Sequence, residues 1–556
     1  MTLAFPPPPT KLLAAPFVVA GLSLCALTGY LAFTLATTYI RGWRSPLNVL
    51  PGPRPTSILM GNFGVVSEQE GARMMENWVH QFGRAYVVQS VLGRKKLLTV
   101  DAKALHHIAH HGDLFQRSEQ AQHMFEAILG KGLLFAEGPT HRRQRKVINP
   151  AFGPVQVRKF TEIFVEKSNE LRDIWLDLAA KSTRKDGRVR VNAFSWMNKV
   201  TLDIIGLAGF GYEFDSLHRA EDDQDELYRA FSRTINSKRS PFLFVQISIP
   251  ILRDLPFGPV AESKRSTAII REKGMELMQA KKKAILDAAN GGSMEKADFG
   301  NDLISQCLKS NLASDLPESM RMSDDEINGQ TPTFLLAGHE TTSTAVSWTL
   351  FALACHSDVQ AQLRAELVQF PHDTPSMDDL NSLVTLDNVL REVLRLYAPV
   401  TTFQRDVKQD TTIPLGTPIV DKYGVTRSEI SVAKGDQVSF PIRIVNRSVE
   451  IWGEDAHEFR PSRWTDSAPE AAHGLPSVYS NLMTFGAGAH ACIGFRFSII
   501  EAKAILFSIF RNFEVELAVE PDDIVRRVAI VGRPTVANSP QEGVQLPILI
   551  RPIKPT

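Results

Sequence analysis

The chain has 556 residues with 62 basic and 61 acidic side chains, which gives a formal net charge of +1. A balanced charge predicts neither nucleic acid nor a strongly acidic molecule as a partner. The spacing of the four cysteines, Cys25, Cys307, Cys355 and Cys492, predicts neither a disulfide framework nor a zinc site. These features indicate a globular protein of a reducing compartment.

An uncharged stretch lies near the N-terminus. Residues 12–40 contain no charged side chain, and a bilayer-spanning helix needs roughly 20 such residues. The stretch also exceeds the roughly 7–15 apolar residues of a cleaved signal peptide. Because Arg41 and Arg44 follow it, the positive-inside rule predicts a permanent single-pass anchor with the remainder of the chain in the cytoplasm.

A proline-rich segment follows the uncharged stretch. It reads L-P-G-P-R-P from Leu50 to Pro55, and it predicts a stiff, extended connection because proline fixes the φ angle. We therefore divide the chain into an anchor with its linker at residues 1–49 and one folded domain at residues 50–556.

Most of the folded domain has helical periodicity. Runs rich in β-branched residues at 85–92 and 95–101 predict a hairpin, and short strands return near 528–531 and 546–550. The predicted fold class is therefore mainly α with a small β region. The predicted helices cover residues 155–180, 196–209, 225–237, 263–289, 326–356, 357–369 and 383–397.

Two segments have weaker patterns. Residues 240–258 are apolar but interrupted by prolines, which fits either a buried loop or a surface that dips into a membrane. Residues 291–322 are polar and weakly periodic, so we predict an exposed connection there.

A basic segment, H-R-R-Q-R-K, runs from His141 to Lys146. On a helix, any one of these bases is expected to face solvent unless a partner holds it inside. We predict that Arg142, Arg143 and Lys146 face outwards. As a cluster they could attract an acidic protein partner.

The centre of the predicted helix at 326–356 reads A-G-H-E-T-T, from Ala337 to Thr342. Threonines in sequence form helices poorly, so a helix with threonines at its centre is expected to use them. The Thr341 hydroxyl can bond back to the preceding turn and open a bulge that holds water. Glu340 can pass protons through that water. The alternative interpretation is an amphipathic helix with an exposed acid.

Arginines recur after this helix. Glu392 and Arg395 form E-x-x-R, one helical turn apart, and F-R-P-S-R-W supplies Arg463. An ion pair of this spacing is by itself a weak signal. Arg405 follows ten residues after Arg395, and a guanidinium suits a carboxylate because it is forked and permanently charged.

The most specific motif is F-G-A-G-A-H-A-C-I-G, from Phe485 to Gly494. Cys492 lies in a glycine-rich loop, and an apolar helical stretch begins at Phe495. The glycines permit close approach to a flat cofactor, and a helix N-terminus favours the thiolate. Such a thiolate is a candidate axial ligand of haem iron, where it favours O–O cleavage. The alternative is a buried structural cysteine.

This loop resembles the haem-binding loop of the cytochrome P-450 superfamily, F-x-x-G-x-R-x-C-x-G, with His490 at the arginine position. The proline-rich hinge, the basic helix, A-G-H-E-T-T, E-x-x-R and the Arg463 segment resemble family motifs in the same order. The resemblance implies a mainly α cytochrome P-450 fold with a small β region, preceded by one N-terminal transmembrane helix. Within the family, the motif sequences are most similar to those of fungal members.

The resemblance also implies residue roles. Cys492 is the expected ligand of the haem b iron, and Glu340 and Thr341 are the expected catalytic pair. The expected cofactor-binding residues are His141, Arg145, Arg405, Phe485, His490, Cys492 and Gly494. The expected substrate pocket is largely apolar: Phe115, Met124, Phe125, Leu133, Phe334, Ala337, Val400, Thr402 and Phe403.

A monooxygenase is the function that the resemblance implies. It would oxidise a lipophilic small molecule, such as a terpenoid, a sterol or another secondary metabolite. The electrons are expected from NADPH through a separate NADPH–cytochrome reductase, with cytochrome b5 as a second candidate donor. The expected location is the endoplasmic reticulum membrane, in contact with membrane lipid, with the catalytic domain in the cytoplasm.

Other functions stay open at this point. A haem-thiolate isomerase or dehydratase would need neither a reductase nor the Glu340–Thr341 pair. A non-catalytic membrane haem-binding protein would not need an oxygen-activating helix. A secreted haem-thiolate peroxygenase is opposed by the predicted anchor.

Overall fold

The computed structural model describes residues 11–62, 71–184, 186–220, 223–236, 258–290, 300–465, 468–528 and 531–553. Helices α1 to α19 are Lys11–Arg44, Gly71–Phe82, Ala102–His110, Glu119–Leu129, Gly138–Ile148, Pro154–Ala180, Ala193–Ile205, Glu226–Asn236, Gly258–Asn290, Leu303–Leu312, Asp324–Asn328, Gln330–Cys355, Ser357–Val368, Met377–Ser382, Val384–Leu396, Ile442–Asn446, Val449–Trp452, Glu470–His473 and Phe495–Asn512. Strands β1 to β12 are Ala85–Gln89, Lys95–Thr99, Phe115–Gln116, Val189–Asn192, Phe403–Val407, Thr411–Val420, Thr426–Val432, Gln437–Phe440, Phe513–Leu517, Ile524–Val528, Gly532–Val536 and Pro547–Pro552.

The uncharged N-terminal stretch forms helix α1. Within the part of the chain that the structure describes, no helix has the length and hydropathy needed to cross a membrane. The predicted transmembrane helix is therefore not confirmed.

The chain forms two compact units. The first contains Met1–Thr99 and Asp406–Ser439, and the second contains Val100–Arg405 and Phe440–Thr556. The predicted division at residue 50, between an anchor and a folded domain, stays a prediction.

The first unit contains the predicted hairpin. Strands β1 and β2 pair antiparallel from Ala85 opposite Thr99 to Gln89 opposite Lys95, and β8 joins β2 in parallel. Trp78, Tyr86 and the neighbouring apolar side chains cover this sheet. A second antiparallel hairpin, β6–β7, is interrupted by a register shift between Pro414 and Ile419. The sequence did not predict it, because prolines break the alternating pattern by which a strand is recognised.

The second unit is built around helix α12, most of which is buried. Helix α12 packs on α7 and α19, and α19 packs on the long helix α6. Strand β12 pairs antiparallel with both β4 and β9, and β10 and β11 form a separate hairpin. The mainly α fold with a small β region is confirmed.

The helix predicted at 326–356 divides into two. Its capping box is present, since Ser323 and Glu326 bond to each other's backbone N–H groups. Helix α11 ends at Asn328, and α12 begins at Gln330, directly after Gly329. A Cβ atom at Gly329 would lie 2.6 Å from the backbone nitrogen of Gly132, so close packing sets this position. Pro332 also contributes, because it cannot donate a helical hydrogen bond.

Residues 291–322 were expected to be an exposed connection, and this prediction is wrong where it can be tested. Helix α10 lies within them, with Leu303, Cys307 and Leu308 fully buried. Asp302 caps the helix. The apolar face of α10 is short and the residues on either side are polar, so the segment as a whole shows little helical periodicity. Residues 237–257, which include most of the proline-interrupted apolar segment, lie outside the described residues.

Candidate active site

The cysteine loop is shaped by backbone contacts immediately before α19. The Cys492 N–H donates to the Phe485 carbonyl oxygen at 2.7 Å. Gly486 and Gly488 have φ angles of 67° and 66°, a conformation that glycine adopts easily. A Cβ atom at Gly488 would lie 2.0 Å from the Ala109 carbonyl oxygen. The loop therefore needs glycine at this position both for its conformation and for its packing.

The setting of Cys492 suits a metal-bound thiolate. The residue is exposed, while desolvation by the surrounding protein raises the pKa of its thiol, and the Gly494 backbone N–H and Arg145 lower it. Helix α19 starts directly after Gly494 and presents its positive dipole end. A metal ion would complete the stabilisation of the thiolate, since coordination deprotonates a thiol.

A cluster of buried bases lies around one carboxylate. Arg117 Nη1 is 3.0 Å from Glu137 Oε1, and His490 Nε2 is 3.0 Å from Glu137 Oε2. Burial disfavours the Glu137 carboxylate, but hydrogen bonding from His490 and the charges of Arg117 and Arg405 outweigh this effect and lower its pKa to about 2. We call Arg117, Arg405 and His490 the basic cluster.

The basic cluster carries more positive charge than Glu137 can neutralise. Burial and the repulsion of Arg117 lower the pKa of Arg405 to about 10, against the attraction of Glu137. An uncompensated buried guanidinium is costly, so this arrangement calls for further anions. The two propionates of a haem are anions of that kind, and His490 stands two residues before Cys492. The residues therefore fit the group that the sequence implies.

His141 and Arg145 support the same loop. The His141 ring stacks on His490 with centroids 4.1 Å apart, and burial with the charge of His490 lowers the pKa of His141 to about 3. Arg145 Nη1 donates to the carbonyl oxygens of Ala489 and Ala491 at 2.9 and 2.6 Å. Arg145 thus grips the loop backbone on both sides of His490.

The other basic residues of helix α5 lie in different environments. Arg142 is exposed, as predicted. Arg143 was predicted to face outwards, and that prediction is wrong, because its Nη2 lies 2.6 Å from Glu326 Oε1. Glu326 belongs to the capping box of α11, so Arg143 ties α5 to that helix start.

Glu392, Arg395 and Arg463, which the sequence motifs singled out, form a buried network. Arg395 donates to both Glu392 oxygens at 2.8 and 2.9 Å, with both side chains fully buried. Arg463 Nε approaches Glu392 at 3.4 Å. Arg395 also donates to the Asn446 carbonyl, and the Asn446 side chain bonds to Thr484, next to the cysteine loop. The network therefore supports the start of that loop.

The centre of α12 differs in part from the prediction. Thr341 Oγ1 donates to the Ala337 carbonyl at 2.6 Å, as predicted, but the helix runs regularly from Gln330 to Cys355. The predicted bulge is wrong, because Thr341 bonds back without breaking the helix. A Cβ at Gly338 would lie 2.8 Å from Ile205, so helix packing requires glycine at this position.

Glu340 has a partner that sequence reasoning missed. Arg533 Nη2 of strand β11 donates to Glu340 Oε1 at 2.6 Å and also contacts Oε2. The two side chains are only 10% and 11% exposed. The partners are 193 residues apart in the chain, and V-G-R-P-T is not a motif, so no pattern links them.

The comparisons with known proteins bear on this geometry. A family model described as Cytochrome P450 matches residues 50–538. The chain belongs to the cytochrome P450 family. Cytochrome P450 monooxygenase 205 of Postia placenta is 43% identical over 91% of this chain and 93% of the relative. Cytochrome P450 monooxygenase 128 of the same organism is 41% identical over 96% and 97%. A ganoderic acid synthetase of Ganoderma lucidum is 34% identical over 89% and 92%.

These relatives confirm the family resemblance and the enzyme class. The first two are monooxygenases by name, and monooxygenases are oxidoreductases. A P450 contains a haem-thiolate iron, which agrees with the setting of Cys492. The similarity to fungal members that the motifs indicated is also confirmed.

A buried acid of this P450 was also missed. Glu501 on α19 is fully buried, and its oxygens form no regular hydrogen bond among the described residues. Burial raises the pKa of Glu501 well above its ordinary value, although the nearby Thr342 hydroxyl lowers it. Burial thus disfavours the charged form of Glu501, which lies near Thr342. Its position within an apolar helix was visible in the sequence, but its isolation was not.

The P450 places the predicted pocket residues in different settings. Phe115 and Phe403 line a pocket together with Arg405 and His490, on the side of the basic cluster. Phe334 is buried edge-on against Phe152 with centroids 5.4 Å apart. Leu133 is buried, and the others are partly or fully exposed: Met124, Phe125, Ala337, Val400 and Thr402. Their grouping into one substrate pocket stays a prediction.

Proposed function

We propose that this P450 is a haem-thiolate monooxygenase that oxidises a lipophilic substrate, with electrons passed from NADPH by a separate reductase. The setting of Cys492 carries the proposal. Its thiol stands at the start of α19, near Arg145, and two residues after His490 of the basic cluster. A thiol with these neighbours suits an iron ligand better than it suits a structural cysteine.

Haem b, when bound, would supply the iron chemistry that activates dioxygen. Cys492 is the proposed iron ligand, and the basic cluster is the proposed site of the two propionates. His141 would keep the His490 ring in place by stacking on it. Arg145 would hold the loop backbone through the carbonyls of Ala489 and Ala491.

Glu340 and Thr341 are the proposed proton-delivery pair. Adjacent helical residues point about 100° apart, and accordingly Glu340 turns towards Arg533 while Thr341 bonds back to Ala337. A proton held on Glu340 weakens its ion pair with Arg533, which frees the carboxyl to pass that proton through water to the Thr341 hydroxyl. Arg533 would thereby position the Glu340 carboxyl for the transfer.

The proposed substrate class is a terpenoid, a sterol or another lipophilic secondary metabolite. One relative is named as a ganoderic acid synthetase. The candidate pocket side chains are largely apolar, as lipophilic ligands require. Spectral titration with compounds of these classes would rank them.

The proposed setting is the cytoplasmic face of the endoplasmic reticulum membrane, with α1 as the anchor. The uncharged residues 12–40 support this proposal from the sequence. The proposed electron donors are an NADPH–cytochrome reductase and cytochrome b5. The exposed Arg142 and Lys146 would attract an acidic surface of such a donor.

The test is the ferrous carbon monoxide spectrum of Cys492→Ala beside that of Cys355→Ala, a cysteine at the end of α12. Only thiolate ligation produces the red-shifted Soret band, so Cys492→Ala should lose it and Cys355→Ala should keep it. Retention of the band in Cys492→Ala would overturn the proposal. Consumption of NADPH in the presence of reductase and substrate would separate a monooxygenase from an isomerase, which consumes none.

A further inference from the structure

Helix α3 carries a group of side chains that the proposed reaction does not use. The sequence H-H-I-A-H-H places four of the 14 histidines within residues 106–111. The His106 and His110 rings stack with centroids 4.0 Å and planes 19° apart. The His107 and His111 rings do the same at 4.1 Å and 29°. Helix α3, with the residue His111 that follows it, therefore presents two imidazole pairs, each spaced by one turn.

The backbone determines which ring nitrogen of His110 is available. His110 Nδ1 lies 2.9 Å from the His106 carbonyl oxygen. A carbonyl only accepts, so Nδ1 carries the hydrogen and Nε2 of the neutral ring keeps a free lone pair. The same bond, at 2.8 Å, joins His111 Nδ1 to the His107 carbonyl. Nε2 is the nitrogen with which such histidines bind metals.

The two pairs differ in access. His106 and His110 are both exposed. His107 is only partly exposed, its Nε2 is buried, and its ring packs edge-on against Phe115 with centroids 6.0 Å apart. An ion from solvent can therefore reach both rings of the first pair, but it cannot reach both rings of the second.

We propose that His106 and His110 form a two-imidazole surface site for a divalent transition-metal ion, with Cu²⁺ bound more tightly than Zn²⁺. Two histidines at i and i+4 lie on one helix face and can share one ion. Because His110 Nδ1 stays bonded to the His106 carbonyl, the exposed His106 ring is the one that would rotate about its side-chain bonds to bring its Nε2 to an ion on His110 Nε2. Imidazole nitrogen suits both ions, and affinity for such ligands peaks at Cu²⁺.

The proposal is independent of the haem and of the proposed reaction. The site lies on one exposed helix face, and waters would fill the remaining coordination positions. A bound ion links two successive turns of α3 and so stabilises the helix by mass action. Ala109, between the paired residues, has its carbonyl beside Gly488 of the cysteine loop.

The experiment is a titration of the full-length, tag-free holoprotein with Cu²⁺, followed by calorimetry and by electron paramagnetic resonance. We expect one tight equivalent with two nitrogen ligands in the native protein. His106→Gln and His110→Gln should each weaken binding on the order of tenfold, because the chelate is lost. The double variant should lose the equivalent, and circular dichroism would verify that it is folded.

Three controls distinguish this site from others. His80→Gln and His372→Gln remove exposed histidines elsewhere and should leave the tight equivalent unchanged. His218→Gln tests another group, in which ligand atoms of Glu170, Asp215 and His218 lie within 4.8 Å of one another. If the tight equivalent survives in the double variant, or if His218→Gln abolishes it, the ion binds elsewhere and the proposal fails. If every histidine variant weakens it alike, the ion is adventitious only and the proposal fails.

Discussion

Arg533 on strand β11 holds the carboxylate of Glu340 on helix α12 in a largely buried ion pair. Arg533 Nη2 contacts both carboxylate oxygens, one of them at 2.6 Å. The residue assigned to proton delivery is therefore not an open acid at a channel mouth. It is an acid paired with a guanidinium that lies 193 residues away in the chain.

Replacing Arg533 should lower coupling. In Arg533→Met, the Glu340 carboxylate loses its cationic partner while it stays mostly buried, and removing one partner of a buried ion pair leaves the other charge uncompensated. The ratio of product to NADPH consumed should therefore fall several-fold. Arg533→Lys should restore much of the native ratio because it keeps the charge.

Arg527→Met is the matched control for this prediction. Arg527 stands opposite Arg533 in the register of the β10–β11 hairpin, but it is exposed. Its replacement should leave the ratio of product to NADPH consumed unchanged. Equal ratios in Arg533→Met and Arg527→Met would remove Arg533 from the proton path.

Thr341→Ala should uncouple NADPH consumption from product formation. The variant loses a hydroxyl but little volume, so the substrate should still bind. Proton delivery through the Thr341 hydroxyl should be lost, and the amount of hydrogen peroxide released per NADPH should increase several-fold. Thr349→Ala is the matched control, because Thr349 makes the same i−4 bond to Ala345 at 2.9 Å on the same helix. Equal coupling in the two variants would show that the proton path lies elsewhere.

Arg405→Met should weaken haem retention and stabilise the haem-free protein. Burial and the repulsion of Arg117 lower the pKa of Arg405 to about 10, which marks a charge that the protein alone does not compensate. Without haem, removal of that charge is favourable; with haem, it removes a propionate partner. The rate of haem transfer to apomyoglobin should rise, whereas the exposed Arg142→Met should match the native protein. A slower transfer in Arg405→Met would contradict the assignment.

Glu501→Gln should increase stability, and the gain should grow with pH. Burial raises the pKa of Glu501 in the folded state, so the unfolded chain releases this proton at a lower pH than the native one. Below the pKa of Glu501 in the unfolded chain, both states hold the proton and burial of this group costs no charge. Above that pKa the unfolded chain gains by releasing the proton, so the free energy of unfolding falls as pH rises. Glutamine has no proton to release. The difference in melting temperature between variant and native protein should be larger at pH 8 than at pH 5, and a constant difference would disprove the neutral acid.

The sequence by itself determined the family-level features of this protein. The helices at 155–180 and 383–397 were predicted to within one residue at each end, because long periodic segments carry their own signal. The cysteine loop, E-x-x-R and A-G-H-E-T-T were recognised because each motif is contiguous, and their order indicated one family. The i−4 bond of Thr341 was predictable because it is local to one helix.

Tertiary structure alone decided which distant groups meet. Arg533 and Glu340 are 193 residues apart, and Arg117 and His490 both reach Glu137 only through folding. A sequence shows an arginine but not its burial. Arg143, which pairs with Glu326, was therefore predicted to face solvent like its neighbours. The charge of a side chain is local, but the cost of burying that charge depends on the whole fold, and that cost decides which acids and bases this P450 keeps together.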